Sequence, residues 1–143
     1  MRISILFRTA VMAIGLTLPL TLTACSASPD MDMPDYVRNA PDRVQEAYLY
    51  AVSHPEDLAS VPCYCGCGSM GHTSNLSCFV ADASTDEVPV FDAHAAGCGI
   101  CVDIAQDVMR LRAEGRSLPQ VRDYIDATYS GFGPGTDTPL PVN

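Results

Sequence analysis

The period of the apolar residues changes along the chain, and each change marks a different kind of segment. Residues 10–22 form an almost unbroken apolar run. Residues 26–39 are rich in Ser, Asp, Pro and Met and predict a flexible tether, in which Met31 and Met33 are inert. Val44, Ala47, Tyr48, Ala51 and Val52 then recur at helical spacing. They predict a first helix over residues 41–53, with Pro41 in its first turn and His54-Pro55 ending it. Residues 55–61 suit a short helical turn. The apolar period is lost at Pro62-Cys63-Tyr64-Cys65-Gly66-Cys67-Gly68, which has almost no side chains with which to pack and predicts an irregular loop. Residues 73–80 return to regular structure, with Leu76, Phe79 and Val80 as core candidates, and 81–88 predict a polar surface loop. A second helix is expected over 92–114, ending at Gly115, and a third from a Ser117 capping box to Tyr129. The inner face of the third is read as Val121, Tyr124, Ile125 and Thr128. Residues 131–143 are rich in Gly, Pro and Thr and predict a disordered tail. The expected fold is mostly α: a small domain of about three helices with an irregular Cys/Gly-rich metal-binding loop.

The first apolar run changes what the chain length means. Arg2 and Arg8 precede it and Leu22-Thr23-Ala24-Cys25 ends it, as in a bacterial export signal closed by a lipobox. The run is too short for a confident spanning helix. The reading is therefore a signal peptide at 1–24, a tether lipidated at Cys25 over 25–39, a Cys/His-rich domain at 40–130 and a tail at 131–143. The alternative is an ordinary cleaved signal with a free Cys25. Two or three acyl chains, palmitate among them, would anchor the protein stably to a bacterial membrane on its extracytoplasmic side, whereas a single chain holds marginally. Charge agrees with lipid anchoring rather than electrostatic attachment. The chain has 8 basic residues against 17 acidic ones, a net charge of −9, and no lysine, which excludes nucleic acid as a partner and leaves anionic lipid unattractive.

Six cysteines follow Cys25, and a domain this small needs staples: disulfides or a metal. Cys63, Cys65 and Cys67 alternate in the loop, and His72 and Cys78 follow. His94, Cys98 and Cys101 fall at i, i+4 and i+7, on one face of the expected second helix. Cys-x-Cys in a glycine-containing loop can aim two thiolates at one ion, and Cys-x2-Cys is a familiar half of a zinc site. Together the eight side chains suffice for two tetrahedral zinc sites or a small Cu(I) cluster, since thiolates select Cu(I) and Zn(II) over hard ions. Crowded thiolates raise one another's pKa unless a cation neutralises them, so the group is protonated, oxidised or metal-bound. Three disulfides with incidental histidines are an alternative that export permits. A third reading is a thiol-disulfide partner acting through Cys98 and Cys101. That segment and the one after it resemble the helix hairpin of cytochrome c maturation thiol reductases. Ser69, Ser74 and Ser77 sit in no nucleophile setting, so no enzyme is expected.

The stretch Pro62-Cys63-Tyr64-Cys65-Gly66-Cys67 resembles the signature of the PCYCGC-motif lipoprotein family. Gly71-His72, Cys78-Phe79, His94-Ala95 and Cys98-Gly99-Ile100-Cys101 match other shared features of that family, and the likeness runs over about residues 44–129. Gly68-Ser69 departs from relatives that carry further cysteine there. The resemblance implies a small exported lipoprotein of no settled activity and supplies no metal. The functional expectation is a membrane-anchored protein that binds Cu(I) or Zn(II) for sequestration, transfer or structural stapling. Its expected partners are membrane lipid through Cys25, the ion itself, and a metal-donating or metal-accepting protein. An inert disulfide-stapled interaction module is a further alternative.

Overall fold

A computed structural model describes residues 32–82 and 89–141. The signal peptide, Cys25, Met31 and most of the expected 81–88 loop lie outside the described residues. Five α-helices, three 3-10 turns and one small hairpin are described: α1 (Asp35–Arg38), α2 (Asp42–Ser53), α3 (Pro55–Ala59), β1 (Val80–Asp82), β2 (Val90–Phe91), α4 (Gly99–Ala113) and α5 (Leu118–Tyr129). The mostly helical class is as expected.

The centre of the fold is α4, packed between α2 and α5. Helix α2 buries Val44, Ala47, Tyr48 and Ala51, while Val52 stays half-buried. Helix α4 answers with Val102, Ile104, Ala105, Val108 and Leu111. At their edge Arg43 pairs with Asp103, and Gln106 Nε2 donates to the Arg43 carbonyl at 2.8 Å. Tyr48 and Phe79 are wholly buried and meet edge to face at 5.0 Å. Burial of each stabilises the fold by roughly 2 kcal/mol. The turn from α4 to α5 has a physical stop. Gly115 takes φ 79°, its N–H reaches the Arg112 carbonyl, and Arg116 N–H reaches that of Leu111, so two end carbonyls are satisfied in a Schellman arrangement. Ser117 and Gln120 then form the expected capping box of α5.

Several expectations need correction. Part of the tether is packed: Met33 and Val37 are buried, α1 lies against α2, and Gln45 Nε2 donates to the Ala40 carbonyl at 2.8 Å. One helical turn is too short to show a period, and its stability comes from α2. The tail is not disordered through residue 141. Thr136 and Thr138 are buried, and Thr136 N–H donates to the Cys63 carbonyl at 3.0 Å. Its glycines allow this closeness: a Cβ on Gly135 would stand 2.9 Å from the Tyr64 ring. The second helix starts seven residues later than expected. His94–Gly97 is a separate 3-10 turn, and Cys98 is extended at φ −122° and ψ 104° as the N-cap of α4. Gly97 and Gly99 flank that break, where helix propensity is poor. On α5 the inner face is Val121, Ile125 and Tyr129, whereas Tyr124 and Thr128 are exposed. The hairpin was not foreseen, because strands of two or three residues show no alternation. No helix among the described residues is long and apolar enough to cross a membrane.

Candidate metal centre

The Cys/Gly loop is shaped by two left-handed glycines. Gly66 at φ 85° opens a 3-10 turn over Cys67–Met70, and Gly71 at φ 93° closes it. Only glycine takes that backbone without strain. Around the first of these turns Cys65 meets His94 while Cys67 meets Cys78, and the second precedes His72. The loop is then tied on both flanks. Cys63 N–H donates to Thr136 Oγ1 at 2.9 Å, and Thr138 Oγ1 donates to the Thr73 carbonyl at 2.6 Å, so the C-terminal segment straps it from one side. Buried Asn75 receives the other side. Its N–H donates to the Val61 carbonyl at 2.9 Å and its Nδ2 to the Cys101 carbonyl at 3.2 Å. Tyr64 Oη reaches Asp126 on α5 at 2.7 Å, and Arg122 holds that carboxylate in turn.

The structure brings all eight predicted ligands into one cluster. Cys63 Sγ lies 3.4 Å from the sulfurs of both Cys65 and Cys101. Cys65 Sγ is 3.6 Å from that of Cys101 and 3.3 Å from His94 Nε2. Cys67 and Cys78 sulfurs are 3.6 Å apart. The ligand atoms of Cys65, His94, Cys98 and Cys101 all lie within 4.8 Å of one another, as do those of Cys67, His72 and Cys78. Such spacings could accommodate a shared ion, since Zn–S bonds of about 2.3 Å place tetrahedral sulfurs about 3.8 Å apart. They are not disulfide bonds: the six described cysteines are free. His94, Cys98 and Cys101 converge, but from a 3-10 turn, an extended cap and a helical first turn rather than from one helix face.

The electrostatics of the cluster suits a cation. Cys101 and then Cys78 donate S–H bonds to Cys63 and hold its thiol well below the usual range. Burial pushes Cys65 and Cys67 up, and the bond to Cys63 pushes Cys101 up. The crowded thiols thus resist ionising together, which a cation would relieve. His72 makes the same point by geometry. Its Nδ1 is buried without a hydrogen-bond partner, while its Nε2 faces Asp92 Oδ2 at 3.6 Å. A carboxylate behind a histidine leaves the other ring nitrogen free to ligate. Asp92 also accepts from His94 N–H through Oδ1 at 2.7 Å, and its carbonyl accepts from Tyr48 Oη at 2.6 Å. Sequence reading missed Asp92, Asn75 and Thr136. The one available signal was Asp92, two residues before a predicted ligand.

A small helical protein whose thiols and imidazoles converge on a partly buried cluster, able to hold a metal ion, is what fold and site define. Within that class the chain belongs to the family described as proteins of unknown function with a PCYCGC motif, which matches residues 21–141. No curated protein and no solved structure matches it.

Proposed function

We propose that the protein is an extracytoplasmic lipoprotein, anchored through Cys25, that binds a soft transition metal, Cu(I) or Zn(II). The observation that carries this reading is the set Cys65, His94, Cys98 and Cys101, four donors from two distant segments held within 4.8 Å. Soft sulfur and imidazole in that ratio suit both ions. The protein acts by binding rather than catalysis, because four protein ligands close a tetrahedral site to substrate. Cys65 and Cys98 are half-buried and form the rim from which a partner protein's thiols can take or give an ion. Cys98 and Cys101 share their surroundings with Cys65 and His94, which favours ligation over a stand-alone dithiol acting in exchange.

The test is metal analysis of protein purified without oxygen, combined with a count of reactive thiols. Bound zinc or copper with thiols protected until chelator is added is the expected result. Six oxidised cysteines and no metal would overturn the reading.

A further inference from the structure

The eight donors divide in a way that a single ion does not use. One set is complete: Cys65, His94, Cys98 and Cys101. Cys67, His72 and Cys78 form another set with no member in common with the first. The remaining donor is Cys63, and it belongs to both neighbourhoods. Its sulfur lies 3.4 Å from those of Cys65 and Cys101 in the first set and within 4.8 Å of those of Cys67 and Cys78 in the second, while His72 groups with Cys67 and Cys78.

We propose that the cluster is a two-ion centre: two Cys3His subsites, the second completed by Cys63, which also faces the first as a shared or bridging thiolate. This rests on the metal-binding reading above and deepens it. Three observations carry it. A lone ion in the complete set would leave His72 Nδ1 buried and without a hydrogen-bond partner, beside the Cys67–Cys78 thiol pair. Unpartnered buried polar groups are destabilising. The His72 and His94 rings meet edge-on at 5.2 Å, so the two subsites present adjacent imidazoles. Asp92 spans both, with one carboxylate oxygen on the His94 backbone and the other facing His72. The ion class is a soft, tetrahedral divalent metal, with zinc the fit for paired Cys3His sets.

The experiment is anaerobic titration of the reduced, metal-free chain with Zn(II), read by native mass spectrometry, and with Co(II), read by its visible absorption. Two Zn(II) ions per chain are expected, with a tetrahedral Co(II) spectrum that grows until two equivalents are bound. Cys98→Ser and His72→Gln should each retain one ion, with helical circular dichroism recorded for both. A wild-type count of one Zn(II) would overturn the two-ion centre and leave the metal-binding reading intact. In a parallel Cu(I) titration read the same way, uptake of three or more Cu(I) with no uptake of Zn(II) would do the same. Binding of neither metal would overturn both. The wild-type count decides the matter even if either variant fails to fold.

Discussion

Asp92 touches the backbone of one candidate histidine ligand and faces the ring of the other. Its Oδ1 accepts from the His94 N–H and its Oδ2 faces His72, while its own N–H reaches the Phe79 carbonyl at 2.8 Å. Asp92→Asn keeps an oxygen for the His94 N–H and removes the charge behind His72. Loss of such an outer carboxylate weakens metal binding about tenfold to a hundredfold. Competition with a chromophoric chelator should show that loss with an unchanged melting temperature for the metal-free protein. Equal affinity would mean that Asp92 merely caps a turn. At this scale the ligands were legible in the sequence, because cysteine and histidine are rare and chemically distinctive. Asp92 and Thr136 were not: acids and threonines are common, and their value here comes from what they touch.

The elements differ in how much of their cause is local. Helix α5 carries its own start signal, so Ser117→Ala should remove a cap worth about 1 kcal/mol, visible as a lower midpoint in urea. An unchanged midpoint would mean the capping box adds nothing. Helix α2 was legible for a similar reason: twelve residues give a period room to repeat. Helix α1 and the β1–β2 hairpin were not, being too short for a pattern and stable only against their neighbours. The second expected helix is the instructive case. It does run as a helix from Gly99 to Ala113. The i, i+4, i+7 spacing of His94, Cys98 and Cys101 made one helical face look sufficient, yet Cys98 is extended and the three converge across a break. Spacing compatible with a helix did not require one.

Two consequences belong to the whole molecule. The C-terminal segment braces the Cys/Gly loop through Thr136 on Cys63 and Thr138 on Thr73, with Arg122 Nη1 donating to the Thr138 carbonyl at 3.1 Å. Ending the chain after residue 130 should therefore cost on the order of 2 kcal/mol in stability and speed the loss of metal to a chelator. A disordered tail would leave both unchanged. Metal binding should also depend on pH in one direction. Burial raises Cys65 and Cys67, and the bond to Cys63 raises Cys101, so these thiols are protonated in the metal-free chain and must release protons to ligate. Apparent affinity then rises with pH and falls as protons compete, on the order of tenfold per pH unit for each proton released. A titration followed at several pH values should show net acid release, and a pH-independent affinity would contradict the raised thiols.

By itself the sequence determined the eight candidate donors and the two longer outer helices, because residue chemistry and helical period are local properties. Only the tertiary structure decided which candidate donors meet, which acid stands behind His72, and that Thr136 and Thr138 brace the motif. Those depend on contacts between segments some thirty to seventy residues apart, such as Cys65 with His94 and Cys63 with Thr136, and no local pattern encodes a meeting at that separation.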